Sequence, residues 1–295
     1  MTNMADIGNF LLARGRRIAF PRRPLIMGIL NLNDDSFSGD GTLDLDVALA
    51  RTQEMIALGA DVIDVGGESA RTNRAAVAIG EEIARVVPYV ERFSAIVTAS
   101  APRDEEQIFP PLLSINTWRP EVAGKILGAG GDILNDMSAL PDLQNARIAV
   151  RHGAALLIMH SIGQPKVAHT HVGYANIMET LLDFFLTKIA EAKTVGLSDE
   201  QFILDPGIDF AKQREDNLTI YREFSRIAGL GYMTLLPVSR KTVIGDVLGG
   251  LPARERDAGT VACIVAGVER GARMFRVHEI NAAYETLKIL GALQS

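Results

Sequence analysis

Short apolar runs alternate with longer amphipathic segments along most of this chain. Eight runs have the composition of buried strands, and a segment with apolar residues at helical spacing follows each of them. The predicted strands are residues 25–30, 61–65, 112–116, 132–135, 155–159, 202–205, 233–238 and 273–277. This alternation is typical of parallel β/α units. Eight units predict an α/β protein with a closed (β/α)₈ barrel, because the alternative, an open doubly wound sheet, usually has fewer strands or a second domain.

The segments between the predicted strands have the pattern of helices that bury one face. The clearest apolar faces are Leu45, Ala48, Leu49, Ile56 and Gly59 in one segment, and Ile177, Leu181, Leu182, Phe185 and Ile189 in another. Glycines stand between a helical segment and the next strand at Gly59, Gly130, Gly153, Gly196, Gly231 and Gly271. Since a glycine there favours a left-handed C-cap, these positions support the number of units independently.

The predicted domain organisation is an N-terminal extension, residues 1–24, followed by one barrel domain, residues 25–295. The extension is polar, contains several arginines, and has no continuous apolar stretch like that of a secretory signal or a membrane span. Residues 98–111 carry a charged run and a Pro-Pro pair, which predict a surface excursion before the third strand. We therefore expect a cytoplasmic protein with no membrane partner.

The composition indicates a globular protein and argues against nucleic acid as a partner. Hydrophobic residues make up 47% of the 295 residues and charged residues 22%, which is enough apolar material for one large core. The net charge of -6 lacks the basic excess of a protein that binds nucleic acid. Cys263 is the single cysteine and lies in an apolar run, so an internal disulfide is excluded and a buried helix is expected.

Polar side chains stand at the carboxyl end of every predicted strand. In a (β/α)₈ barrel these ends and the loops that follow them build the active site. The residues are Asn31, Asp64, Glu68, Asn116, Asn135, Asp136, His160, Asp205, Ser239, Arg240, Lys241, Arg276 and His278. One such residue alone is typical of a turn or a cap. Their recurrence at all eight strands favours an active site.

The last two predicted strands carry the most informative group. Arg240, Lys241, Arg276 and His278 place cations at adjacent strand ends, where barrels frequently bind phosphate. Asn135 and Asp205 offer the donors and acceptors that a flat nitrogen heterocycle requires. The sequence therefore predicts a ligand that combines an aminopyrimidine-like ring with a phosphate or diphosphate.

Two segments carry the strongest family resemblance. Residues 27–38 (MGILNLNDDSFS) resemble the first signature of the dihydropteroate synthase family, and residues 61–71 (DVIDVGGESAR) resemble the second. Later motifs follow in the family's order at residues 134–136, 159–160, 205–207, 217–218, 239–241, 244–245 and 276–278. The resemblance runs from about residue 25 to residue 290.

The resemblance implies a single-domain TIM barrel, commonly a homodimer. The implied reaction condenses 4-aminobenzoate with 6-hydroxymethyl-7,8-dihydropterin diphosphate and releases pyrophosphate. Mg²⁺ is the implied cofactor. An enzyme of folate biosynthesis is therefore expected, with two small molecules as its partners.

The family's roles can be carried over by position. Asn31 would bind the magnesium ion, while Arg276 and His278 would hold the diphosphate. The implied substrate site comprises Asn116, Asn135, Met159, Asp205, Phe210, Ser239, Lys241, Arg276 and His278. The residues expected to act in catalysis are Lys241, Asp205, Asn116 and, in a loop that closes over the site, Arg71.

Several positions depart from the family pattern. Asn116 replaces an aspartate at the third strand end, so bond cleavage is expected to be slower. Asp209 and Ala211 replace glycines on either side of Phe210, and both mobile loops are altered. A second hypothesis is therefore a paralogue that binds the pterin diphosphate but uses another nucleophile or has lost synthase activity. A third is a pterin-binding methyltransferase barrel, which the retained cations at residues 239–241 and 276–278 argue against.

Overall fold

Eight parallel strands close into a barrel in the computed structural model, which describes residues 10–20, 22–34, 41–69, 75–167, 169 and 172–294. A two-stranded antiparallel hairpin precedes the barrel: β1 (Phe10–Ala13) and β2 (Arg16–Ala19). The barrel strands are β3 (Leu25–Asn31), β4 (Val62–Gly66), β5 (Leu112–Asn116), β6 (Ile133–Asp136), β7 (Ala155–Met159), β8 (Phe202–Asp205), β9 (Met233–Pro237) and β10 (Met274–Val277). β10 pairs with β3 to close the ring, which confirms the predicted (β/α)₈ fold.

Helices connect the strands and pack outside them. They are α1 (Leu45–Ala57), α2 (Ile79–Thr98), α3 (Pro120–Ala129), α4 (Gln144–His152), α5 (Ile177–Lys193), α6 (Arg214–Glu223), α7 (Ser225–Ala228), α8 (Thr242–Val247), α9 (Asp257–Glu269) and α10 (Ile280–Gln294). The predicted apolar faces are the buried ones, as Ile56 in α1 and Phe185 in α5 are fully buried. Asp44 and Asn176 begin α1 and α5 by accepting backbone N–H groups of the first turn. Within the described residues, no helix is long and apolar enough to cross a bilayer.

The glycine prediction is wrong at one of its six positions. Gly59, Gly153, Gly196, Gly231 and Gly271 have positive φ. Between α3 and β6, however, Gly130 is extended, with φ at 168°, and Gly131 adopts the positive φ of 106°. A Cβ atom at Gly131 would also lie 2.8 Å from Ile115, so this second glycine is required by packing as well as by backbone conformation.

The N-terminal hairpin closes the amino end of the barrel. Leu11, Ala13 and Ile18 belong to one buried cluster with residues that point into the barrel, including Met27 and Leu112. Sequence analysis treated residues 1–24 as a polar extension and did not predict this role. Burial alternates with period 2 along β1, where Leu11 and Ala13 are buried, but the residue types of FLLA and RRIA do not alternate and carry no such signal.

The predicted excursion, residues 98–111, is held against the same end of the barrel. The side chain of Gln107 donates to the carbonyl oxygens of Ile56 and Ala60, at 2.9 and 2.8 Å. These carbonyls lie at the end of α1 and before β4, where a helix leaves acceptors unpaired. The excursion thus satisfies the backbone at the opposite end of the barrel from the predicted site.

Candidate active site

A cavity of about 300 Å³ opens at the carboxyl ends of the barrel strands. The predicted site residues that the structure describes all line it: Asn31, Asn116, Asn135, Met159, Asp205, Phe210, Ser239, Lys241, Arg276 and His278. Most of them were predicted to lie together because parallel strands end on one face of the barrel, while Met159 and Phe210 were predicted from the family resemblance. Arg71, the remaining predicted residue, lies outside the described residues.

Asp64 of β4 is the common acceptor beneath this cavity. Its fully buried carboxylate accepts from Ser114 Oγ at 2.6 Å, Asn116 Nδ2 at 3.2 Å and Asn135 Nδ2 at 3.1 Å. It also accepts from Arg276 Nε at 2.8 Å. One carboxylate of β4 therefore joins side chains from three other strands, β5, β6 and β10. Sequence analysis named Asp64 among the polar strand ends but gave it no role.

This arrangement fixes which atom of each amide faces Asp64. A carboxylate accepts hydrogen bonds only, so the amide atom beside Asp64 is Nδ2 in both Asn116 and Asn135. The Oδ1 atom of each amide is therefore directed away from Asp64. Because both side chains line the cavity, they offer it carbonyl acceptors.

Asp205, at the end of β8, adds a buried carboxylate to the same cavity. Its Oδ1 accepts from the backbone N–H of Gly207 at 2.7 Å. Burial raises the pKa of Asp205 to about 6, and the hydrogen bond from Gly207 and the charge of Lys241 oppose that shift. With Asn116 and Asn135, this carboxylate favours a ligand that has several N–H donors along one edge.

Lys241 also borders the cavity. Its Nζ donates to the carbonyl of Ile208 at 2.9 Å and lies 5.2 Å from the centre of the Phe210 ring. Burial lowers the pKa of Lys241, while the carboxylates of Asp209 and Asp205 oppose the shift. The aromatic ring and the ammonium group together suit a flat heterocycle with a carbonyl acceptor.

β9 and β10 are coupled where they end. Ser239 Oγ lies 2.7 Å from Nδ1 of His278 and accepts from the backbone N–H of His278 at 3.1 Å. These contacts orient the imidazole beside Arg276 at the edge of the cavity. The predicted group of four cations is wrong in one member, because Arg240 binds Asp257 at 2.8 and 3.0 Å and is not a lining residue.

The loop after β8 contains two non-glycine residues in the left-handed region. Asp209 has φ of 69° and Ala211 has φ of 51°. The Asp209 carboxylate accepts from the backbone N–H groups of Thr242 at 2.5 Å and Val243 at 3.4 Å, and from Asn217 Nδ2 at 3.1 Å. These contacts stabilise a conformation that favours glycine. Sequence analysis noted both replacements and assigned no contact to either.

Lys212 stabilises the loop after β8 through a buried side chain. It was not among the residues predicted from the sequence. The side chain is buried, and its Nζ donates to the carbonyl of Phe210 at 3.0 Å and lies 2.9 Å from Nδ1 of His160. Burial lowers the pKa of Lys212 to about 7. Burial, followed by the charge of Lys212, lowers the pKa of His160 to about 3, so this imidazole is neutral and acts as an acceptor.

Glu68, in the loop after β4, links that loop to the loops that follow β5 and β7. Its buried carboxylate lies 2.6 Å from Arg119 Nη2, in the loop after β5, and 3.2 Å from Lys166 Nζ, in the loop after β7. It also accepts from the backbone N–H of Val77 at 3.1 Å. Lys166 donates to the carbonyl of Ser69 at 3.0 Å, so three active-site loops share one ionic cluster.

The chain matches a family model described as Pterin binding enzyme over residues 27–278. The dihydropteroate synthase of Clostridium beijerinckii is 40% identical over 261 residues, which cover 88% of this chain and 90% of that protein. The dihydropteroate synthase of Bacillus subtilis is 34% identical over 278 residues, covering 94% and 90%.

Solved structures give the same result. The Yersinia pestis dihydropteroate synthase in complex with a sulfonamide drug has a TM-score of 0.85 at 32% identity, covering 97% of this chain and 98% of that one. The Xanthomonas albilineans dihydropteroate synthase with 4-aminobenzoic acid has a TM-score of 0.84 at 30% identity, covering 98% and 99%. Sequence, fold and the polar cavity agree, and the chain belongs to the dihydropteroate synthase family of pterin-binding enzymes, which are transferases.

Proposed function

We propose that this enzyme condenses 4-aminobenzoate with 6-hydroxymethyl-7,8-dihydropterin diphosphate to form dihydropteroate and pyrophosphate. The observation that carries the proposal is the Asp64 cluster, which places amide acceptors beside the guanidinium of Arg276 in one cavity. Heterocycle recognition and diphosphate recognition thus share a single buried anchor. The Xanthomonas relative with 4-aminobenzoic acid supports the choice of the second substrate.

The floor of the cavity suits the aminopyrimidine edge of a pterin. That edge has N–H donors on the exocyclic amine and the adjacent ring nitrogen, which a carboxylate such as Asp205 can accept as a pair. Asn116 and Asn135 would accept from the remaining N–H groups. Lys241 would donate to the ring carbonyl. Because these side chains are buried or partly buried, an unmatched ligand would leave polar groups unpaired.

The chemistry requires charge to separate across the cavity. As the bond between the methylene carbon and the diphosphate oxygen breaks, its electron pair leaves with pyrophosphate, which Arg276 and His278 would stabilise. Positive charge develops on the pterin, above the carboxylates of Asp64 and Asp205. The neutral amine of 4-aminobenzoate then forms the new carbon–nitrogen bond and loses a proton. Exclusion of water protects the cationic species from hydrolysis.

The donor set fits a magnesium ion that arrives with the substrate. Among the residues that the structure describes, no cluster of three His, Cys, Asp or Glu side chains could hold a metal. Mg²⁺ commonly uses few protein oxygens and completes its shell with phosphate oxygens and water. Asn31 lines the cavity near Arg276 and His278 and would supply such an oxygen. When bound, the ion would neutralise charge on the departing pyrophosphate.

The direct test is pyrophosphate release from the pterin diphosphate with and without 4-aminobenzoate, with product identified by mass spectrometry. Dihydropteroate formed only in the complete mixture supports the proposal. Pyrophosphate release without a conjugate, or no release at all, contradicts it. Sedimentation of the same preparation tests the homodimer that the family resemblance implies.

A second candidate is a paralogue with another nucleophile, and Asp209 favours it because a carboxylate borders the mouth of the cavity. Its test is the same assay with a series of amines in place of 4-aminobenzoate. Formation of a conjugate with one of these amines, but not with 4-aminobenzoate, would support it.

A further inference from the structure

Asp209 is a carboxylate at the mouth of the cavity that the reaction described above does not use. It lines the cavity together with Phe210 and Thr242. Thr242 is exposed, whereas Asp205 and Asn135 are buried at the floor. A pterin held at the floor leaves the mouth to the second reactant. Asp209 therefore borders the space into which the arylamine must enter.

The position of this carboxylate is fixed from two sides. It accepts from the backbone N–H groups of Thr242 at 2.5 Å and Val243 at 3.4 Å, on the loop after β9. Asn217 of α6 donates to it at 3.1 Å and accepts from the backbone N–H of Asp209 at 3.0 Å. Hydrogen bonds from several N–H groups hold a carboxylate in one position. If the side chain turned away, these donors would lose their partner.

Two consequences for a second substrate follow from this geometry. The N–H donors of Thr242 and Val243 are already used by the side chain of Asp209, so a carboxylate on the substrate cannot accept from them. A carboxylate on the substrate would also come close to a fixed negative charge, which repels it in this partly desolvated site. An uncharged arylamine meets neither penalty. A glycine at this position, as in the family pattern, would have no carboxylate there.

We propose that Asp209 is a specificity-determining residue that shifts the preference of the site from carboxylate-bearing arylamines toward uncharged ones. The proposal rests on the proposed function, since it concerns the second substrate of that reaction. It names the acceptor class as an arylamine whose ring carries no negative charge at the end that reaches Asp209.

The test compares the binding of pteroic acid with that of its carboxamide, because product analogues report on the acceptor end without turnover. Calorimetry is carried out on the wild type, Asp209→Asn and Asp209→Gly. Asparagine retains an oxygen acceptor and tolerates the left-handed backbone, so Asp209→Asn removes mainly the charge. Glu105→Gln is the matched control, since it removes one exposed negative charge in the excursion at the other end of the barrel.

We expect the wild type to bind the carboxamide at least as tightly as the acid. Asp209→Asn and Asp209→Gly should each shift the ratio of the two dissociation constants toward the acid by about tenfold, which corresponds to about 1.4 kcal/mol. Glu105→Gln should leave the ratio unchanged. The same shift should appear in kcat/KM for 4-aminobenzoate relative to 4-aminobenzamide, with the KM for the pterin diphosphate preserved.

The outcomes separate the two proposals. If both Asp209 variants stay folded, bind both compounds and keep the wild-type ratio within twofold, the role of Asp209 is overturned and the proposed reaction stands. If the wild type binds neither compound and releases no pyrophosphate, the proposed reaction is overturned and the role of Asp209 falls with it. A shift in the opposite direction also overturns the role of Asp209.

Discussion

Arg276 Nε donates to the buried carboxylate of Asp64 at 2.8 Å, which links β10 to β4, the two strands that flank β3. The residue expected to hold the diphosphate is therefore bound to the residue that orients the heterocycle acceptors Asn116 and Asn135. Recognition of the two parts of the substrate is physically linked through one ion pair. Substitution of Arg276 should therefore affect recognition of the ring as well as that of the diphosphate.

Arg276→Ala should weaken binding of the free hydroxymethyl-pterin as well as that of its diphosphate. The loss for the diphosphate should be larger, by about tenfold or more, because it includes lost contacts with the leaving group. The smaller loss, for the free pterin, arises because Asp64 no longer has the guanidinium of Arg276 as a partner. Calorimetry with both ligands measures the two effects. Unchanged affinity for the free pterin would show that the ion pair has no part in ring recognition.

Asp64→Asn should weaken pterin binding more than a substitution that removes only one hydrogen bond. An asparagine cannot accept from all four of its neighbours, so the amides of Asn116 and Asn135 lose their fixed orientation. We expect a loss of about 2–4 kcal/mol in binding free energy. Ser114→Ala is the control, since it removes one contact to Asp64 while leaving the cavity lining intact. Equal effects of the two variants would contradict the role of Asp64 as an organiser.

Lys241→Ala should reduce pterin-diphosphate affinity by about 2–4 kcal/mol, because it removes a cation from a desolvated site. The neighbouring cation provides the control. Arg240 binds Asp257 and Glu279 outside the cavity, so Arg240→Ala should lower the thermal unfolding midpoint and leave pterin affinity within about twofold. Dissociation constants measured for both variants decide whether the cavity has been assigned correctly.

Pterin affinity should fall as the pH drops below about 6. The pKa of Asp205 is raised to about 6 by burial, and only the ionised carboxylate can accept two N–H donors from the ring. The same shift makes protonation stabilise the fold, so this contribution to stability is present at low pH and is lost as the pH rises through 6. Asp205→Asn should bind weakly at every pH and lack this transition. Titrations at pH 5 to 8 compare the two proteins; a flat wild-type profile would contradict the assignment.

Asn116→Asp should raise the rate of pyrophosphate release by about tenfold, equivalent to about 1.4 kcal/mol of barrier. A second carboxylate would stabilise the positive charge that develops on the pterin, and the Arg276 guanidinium beside Asp64 makes the added charge tolerable. Single-turnover release with saturating pterin diphosphate measures the effect. A slower rate in a folded variant would show that the site depends on the amide that now donates to Asp64.

The sequence predicted the barrel and the polar strand ends that line the cavity because both follow from position, whereas Met159 and Phe210 were predicted only through the family resemblance. Strand periodicity fixes which residues end on the same face, and Asn135, Asp205 and Lys241 needed no further information. Hydrogen-bond partners do not follow from position. The shared role of Asp64 depends on the register of β10, β3, β4, β5 and β6. The contact that holds Arg240 away from the cavity depends on Asp257, at the start of α9.

The contacts of the loop after β8 also do not follow from position in the sequence. The replacement of two glycines at Asp209 and Ala211 indicated a changed loop, but its compensating contacts come from Asn217 and Thr242, on elements that follow it in the chain. Lys212 was not singled out from the sequence, and only its contact with His160 and its burial show its role.

The hairpin at the amino end of the barrel also sets an order of assembly during synthesis. Arg17 binds Glu200 at 2.8 Å, a contact between residues 183 positions apart, and Leu11 packs with Met274 in one buried cluster. The apolar side chains of β1 and β2 are therefore fully covered only when β10 has joined the barrel. Contacts of such long sequence separation form late and slowly. During synthesis we expect these apolar residues to stay exposed for longer than those of the central strands, which makes this segment a candidate for chaperone binding.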